Sequence, residues 1–126
     1  MSVIFIGLLI RLILSWEILV SKARQKGTSF ETAIVNFLKE NGFPDAERWG
    51  SSEMGLGDVR NLPIVLEAKN HKAMALSEWC DQAERSGKKA GTLWAVVHKR
   101  IRKNTSKAYV TMSLENFVKI LLKSIG

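Results

Sequence analysis

Thr92-Leu93-Trp94-Ala95-Val96-Val97-His98 is a nearly continuous apolar run. A run of this kind suits a central strand covered on both faces. Around it, 126 residues leave room for one compact domain and not for two of ordinary size. The remaining periodicities fill in an α/β order. Thr28-Ser29-Phe30-Glu31 reads as a capping box, and Phe30, Ile34, Phe37 and Leu38 follow at helical spacing up to a stop at Gly42. These signals predict a helix over about 29–41. Short strands are expected at 46–49 and 58–60, separated by the glycine-rich stretch 50–57, and a longer strand at 64–69. A second helix is predicted from about Ser77 to Ser86, closed by Gly87. A basic loop at 99–107 and a strand at 108–112 follow. Ser113 then caps a last helix carrying Leu114, Phe117, Val118, Leu121 and Leu122 on one face. Helix, three strands, helix, two strands, helix implies a single-domain mixed central sheet flanked by helices.

The composition is globular, with 46% hydrophobic and 25% charged residues. Nineteen Lys and Arg against 12 Asp and Glu give a formal net charge of +7, which points to a polyanionic partner, nucleic acid or an acidic membrane surface. Cys80 is the single cysteine, so no intramolecular disulfide framework forms. One Cys with His71 and His98 cannot fill the usual zinc sets.

Residues 1–20 differ in character. Val3 to Val20 holds only Arg11 and Glu17 as charges, at the lower limit of length for a membrane span. Arg11 near the middle opposes insertion. Three roles are open for this segment: an anchor that leaves 21–126 on the cytoplasmic side, a helix packed on the domain or on a partner chain, or an extension ahead of a native start at Val20. The third is the expectation here. A membrane contact is expected only through residues 3–20.

The sharpest chemical signal is Pro63-Ile64-Val65-Leu66-Glu67-Ala68-Lys69. In a strand, Ile64, Leu66 and Ala68 share one face and Val65, Glu67 and Lys69 the other. If the preceding short strand pairs with it, Asp58 comes within about a strand spacing (~4.8 Å) of Glu67. Two carboxylates that close repel unless a cation lies between them. Oxygen ligands from Asp58, Glu67 and the Ala68 carbonyl favour a hard ion, Mg²⁺ or Mn²⁺. Such an ion acidifies water and stabilises charge on a phosphate undergoing displacement, and Lys69 beside it would orient that water. From spacing alone the more ordinary reading is Asp58 as a turn carboxylate and Glu67 with Lys69 as an exposed ion pair, since E-x-K is very common.

Lys26-Gly27-Thr28-Ser29-Phe30-Glu31, Gly57-Asp58 and Glu67-Ala68-Lys69, in this order, resemble the PD-(D/E)XK nuclease superfamily. Within it the similarity is greatest to archaeal-type Holliday junction resolvases and their phage relatives, and covers about Ser21 to Lys99. The resemblance implies a restriction-endonuclease-like fold and a Mg²⁺-dependent endonuclease that cuts four-way DNA junctions as a homodimer in the cytoplasm. It makes Asp58 and Glu67 metal ligands, Lys69 the catalytic lysine and Glu31 a further acid of the site; Glu31 is equally placed to act as a capping-box residue. Ser51 or Ser52 would contact the scissile phosphate, and Gln82 would support the site. Gly57 stands where the family carries proline. Alternatives are another nuclease on this fold, acting in restriction, repair or nicking, or a DNA-binding module without catalysis.

The DNA-facing residues expected are Lys99, Arg100, Arg102 and Lys103 in a stretch free of Asp and Glu, with Lys22, Arg24 and Lys26 as a second basic arm. His98 reads as a satisfied strand-end histidine. Gly55-Leu56-Gly57 lacks the third glycine of a dinucleotide site, and Ser86-Gly87-Lys88-Lys89 lacks the P-loop spacing.

Overall fold

The computed structural model describes residues 3–49 and 55–125. Its elements are helix α1 (Val3–Glu40), strands β1 (Glu47–Arg48), β2 (Val59–Arg60) and β3 (Val65–Lys69), helix α2 (Leu76–Ala90), strands β4 (Trp94–His98) and β5 (Tyr109–Thr111), and helix α3 (Leu114–Ile125). A short 3-10 turn, Thr105–Lys107, interrupts the basic loop. The five strands form one mixed sheet in the order β1-β2-β3-β4-β5, with β3 and β4 parallel and all other neighbours antiparallel. A parallel pair cannot be joined by a tight turn, so α2 makes the crossover from β3 to β4.

The sheet is covered on both faces, as the apolar run of β4 requires; every residue of β4 is buried. Phe30, Ile34 and Val35 of α1 pack on Val59, Leu66, Ala95 and Val97. On the other face Trp79 and Ala83 of α2 pack on Val65, Trp94 and Val96. Burial of each large side chain in these layers contributes roughly 1.5–3 kcal/mol. The alternation along β3 therefore directs Leu66 and Ala68 toward α1, and Val65, Glu67 and Lys69 toward α2.

Helix boundaries differ from expectation in two places. The first helix does not begin near residue 29: α1 runs unbroken over 38 residues, so Thr28 lies inside it and its capping box is unused. Residues 3–26 contain no proline and are rich in strong helix formers, which carry the helix through Thr28 and Gly27. Its carboxyl end is where expected: Gly42 adopts a φ of 107° and the Phe43 N–H donates to the Leu38 carbonyl at 3.0 Å, a Schellman closure. Likewise α2 does not stop at Gly87. It continues to Ala90 and is closed by Gly91, whose φ is 70°. Gly87 is buried in the helix because a Cβ there would stand 3.0 Å from both the Thr92 carbonyl oxygen and the Trp94 Cβ. A close helix–strand contact, not a cap, sets that glycine.

Residues 5–26 of α1 are all exposed, so this half of the helix does not pack on the domain. Among the described residues no helix is long and apolar enough to cross a membrane. The apolar face of α3 also stays exposed at Leu114, Phe117, Val118, Leu121 and Leu122. The helix is held at its start, where Ser113 Oγ accepts the Asn116 N–H at 3.1 Å and buried Asn116 donates from Nδ2 to the Trp94 carbonyl.

Candidate active site

The site is built where β2 ends against β3. The Asp58 N–H donates to the Leu66 carbonyl at 2.8 Å, and the next rung of the ladder is completed by a side chain: the Ala68 N–H donates to Asp58 Oδ2 at 2.7 Å. On β3 the Lys69 carbonyl accepts from Lys99 beyond β4, so strand alternation turns the N–H and carbonyl of Ala68 toward β2 and the site. Gly57 delivers Asp58 to this position. It has a φ of 90°, and a Cβ would lie 2.8 Å from the Leu66 carbonyl oxygen and 2.9 Å from Val65 Cγ1. A proline, fixed near −65°, does not fit there, which accounts physically for the glycine in this chain.

Glu67 is buried, and its Oε1 accepts the Ser86 hydroxyl of α2 at 3.1 Å. Burial pushes the Glu67 carboxyl up to about 7, and the charge and hydrogen bond of Asp58 push the same way against the opposing effects of Ser86 and Lys69. Lys69 donates from Nζ to Gln82 Oε1 at 2.7 Å. Glu67 and Lys69 are thus not an exposed ion pair: the acid is buried against α2 and the lysine is held by an amide.

Glu31 faces the site from α1. Its Oε2 accepts Arg48 Nε at 3.0 Å, and burial first, then the charge of Asp58, raises its carboxyl above the ordinary value while Arg48 opposes. It faces the same cavity, is paired with a β1 arginine and does not act as a cap.

A single open cavity of about 570 Å³ gathers these groups. Glu31, Asp58, Glu67, Ala68, Lys69 and Gln82 line it, together with Arg24 of the basic arm. Arg48, Trp49, Asn70 and His71 line it too and were not expected from the sequence. Nothing in the spacing announces Arg48, whose role depends on a helix–strand contact 17 residues apart in sequence.

The other expected residues fall around the rim or outside it. Lys22 and Lys26 are exposed on α1; the Lys26 carbonyl accepts Asn70 Nδ2 at 3.4 Å. Lys99 begins the basic loop beside Lys69, and Arg100 stacks its guanidinium over Tyr109 with 4.4 Å to the ring centroid. Arg102 and Lys103 are exposed in the same loop. Ser51 and Ser52 lie outside the described residues. His98 is buried, with Nε2 at 2.8 Å from Thr111 Oγ1, and stays out of the site. An apolar cavity of about 500 Å³ beside Phe37, Phe43 and Ile120 contains no acid and is unrelated to this chemistry.

For a metal, the relevant donors are Asp58, Glu67 and the Ala68 carbonyl. Among the described residues no three His, Cys, Asp or Glu side chains are arranged as a ready-made metal cluster, and Glu31 is engaged by Arg48. Two touching carboxylates, one pushed toward its neutral form, fit a hard divalent ion that takes two protein acids and completes its shell with water and phosphate oxygens. A scan of family models, a search of curated proteins and a search of solved structures found no match to the chain.

Proposed function

We propose that the chain is a Mg²⁺-dependent DNA endonuclease of restriction-endonuclease-like fold that cuts four-way junctions as a two-fold dimer in the cytoplasm. The observation that carries this reading is the convergence of Asp58, Glu67 and Lys69 on one open cavity, with Asp58 fixed against the backbone of the strand that bears the other two. Asp58, Glu67 and the Ala68 carbonyl would hold Mg²⁺ or Mn²⁺. Bound there, the ion supplies Lewis acidity toward water and the phosphodiester.

The chain's own residues supply positioning and charge. Gln82 holds Lys69 with its ammonium at the cavity, where it neutralises charge that grows on the phosphate during displacement. Ser86 fixes the Glu67 carboxylate, and Arg48 keeps Glu31 from adding a third unpaired negative charge. Arg24 on the rim and the loop from Lys99 to Lys103, which starts at the Lys69 carbonyl, offer cations to the flanking backbone. Cleavage would leave 5′-phosphate and 3′-hydroxyl ends. Symmetric cutting of a junction needs two sites, hence the dimer.

The test uses labelled four-way junction and linear duplex with Mg²⁺ or EDTA, for the full chain and Asp58→Asn. Paired Mg²⁺-dependent cuts in the junction that vanish in the variant are expected. Equal cutting of both DNAs removes the junction preference, and binding without cleavage in Mg²⁺ and Mn²⁺ leaves only a DNA-binding module.

A further inference from the structure

Glu67 and Gln82 also border a second cavity, of about 300 Å³, which Glu31 does not line. Its walls are Arg85 and Lys89 of α2 and the backbone at Gly55 and Gly57. We propose that Arg85 and Lys89, facing this glycine-lined wall, form a subsite for a phosphate of the nucleic-acid strand that neighbours the phosphate being cut. The proposal rests on the nuclease reading and extends it to residues that neither the motif order nor the basic loop includes.

Arg85 and Lys89 are four apart, so they lie one above the other on one helix face, about 6 Å apart along the axis. Like charges at that spacing disfavour the helix by a few tenths of a kcal/mol. The neighbouring pair on α2 is arranged differently: Lys88 Nζ lies 3.4 Å from Glu84 Oε1. Among the described residues no carboxylate forms an ion pair with Arg85 or Lys89. Two uncompensated cations thus stand over a cavity, a placement whose cost an anion relieves.

Among the described residues the opposite wall is formed by two glycines. Gly55 and Gly57 have φ values of 60° and 90°. Lys89 Nζ lies 3.4 Å from the point where a Cβ on Gly55 would be, so the ammonium reaches across to the loop. Among the described residues the only acid in the wall is Glu67, whose Oε1 is bound by Ser86. An arginine fork and an ammonium facing a glycine backbone match a tetrahedral oxyanion. Glu67 and Gln82 belong to both cavities, so the two adjoin, and a strand with one phosphate over Lys69 would bring its neighbour to Arg85 and Lys89. The sequence carries a signal for this face: Gln82, Arg85, Ser86 and Lys89 follow at helical spacing on α2.

The test measures binding of the full chain to a labelled junction and a duplex in EDTA, from about 50 to 200 mM salt, a range over which phosphate contacts dominate the salt dependence. The variants are R85Q/K89Q and, as a control, K119Q on α3. Both altered sites are exposed, so the fold is retained. Each lost phosphate contact lowers the slope of log K against log salt by about 0.9, and the double variant is expected to lower it by between about 1 and 2 while K119Q leaves it unchanged. Replacing the flanking phosphate by a methylphosphonate should weaken binding by the wild-type chain and not by R85Q/K89Q. An unchanged slope in R85Q/K89Q overturns the subsite even if Mg²⁺-dependent cleavage persists, in which case the nuclease reading stands. A wild-type chain that neither binds nor cuts DNA overturns both. An unchanged DNA slope together with loss of thermal stabilisation by inorganic phosphate assigns the pocket to a free anion and overturns the nucleic-acid occupant.

Discussion

Asp58 Oδ2 accepts the backbone N–H of Ala68 at 2.7 Å, so a carboxylate occupies the place of a strand carbonyl at the point where β2 stops pairing with β3. The bond does two things. It satisfies a strand N–H that pairing would otherwise leave open, and it presses the acid against Glu67, whose carboxyl burial first, and then Asp58, pushes up to about 7. Asp58→Asn keeps the acceptor and removes the charge. Glu67 should then titrate at lower pH in carboxyl-carbon NMR, and Mg²⁺-dependent cleavage should fall by roughly 100-fold or more, the scale of several kcal/mol of transition-state stabilisation. A Glu67 titration that does not move would contradict the contact.

Stability in EDTA should decrease as pH rises from about 4.5 to about 7. The folded protein raises the Glu67 pKa above its ordinary value of 4.5, so it binds the proton more tightly than the unfolded chain does. The stabilisation is full below about 4.5 and is lost as pH passes about 7. Allowing for solvent screening, the effect is of order 2 kcal/mol. Glu31 is shifted in the same direction and reinforces it. Urea midpoints at pH 5 and pH 8 measure this, and added Mg²⁺ should reduce the loss at pH 8.

Gln82→Ala should lower cleavage by about 10–100-fold with DNA affinity nearly unchanged, since the amide holds Lys69 and is not needed for backbone contact. A matching loss of affinity would show that Gln82 binds substrate directly.

Two glycines should resist alanine for different reasons. Gly57→Ala combines a positive φ with a Cβ 2.8 Å from a carbonyl oxygen, and about 2–3 kcal/mol of stability should be lost. At Gly87 a helix-propensity gain of about 1 kcal/mol competes with overpacking of about 1–3 kcal/mol against Trp94 and Thr92. The backbone carbonyl cannot move away easily, so net destabilisation is expected. Denaturant midpoints decide both.

Removing residues 1–20 should change the denaturation midpoint little, because residues 5–26 are exposed and bury no apolar surface against the sheet. A loss of more than about 1 kcal/mol would mean that this half of α1 supports the domain.

The element order and the two faces of β3 were legible in the sequence because alternation and apolar runs are local signals. Asp58 and Glu67 were legible as neighbours for the same reason, since nine residues and one turn leave few registers. The start of α1 was not: Thr28 and Glu31 make a sound capping box, but a cap forms only if the chain before it is not already helical. Gly87 misled in the same way, since a glycine needed for contact with Trp94 looks like a helix stop. Arg48 and His71 enter the site only through tertiary packing, and no local pattern marks them.

The sheet also divides the site by mechanical strength. Glu67 and Lys69 stand on β3, which forms five-residue parallel pairing with the fully buried β4 and is braced by α2. Asp58 adjoins β2, a two-residue strand paired with another of equal length. Amide exchange should therefore be slow along β3 and β4 and fast along β1 and β2. A local opening of that hairpin would separate the two carboxylates while the rest of the domain stays folded, so the site can be taken apart and rebuilt without global unfolding.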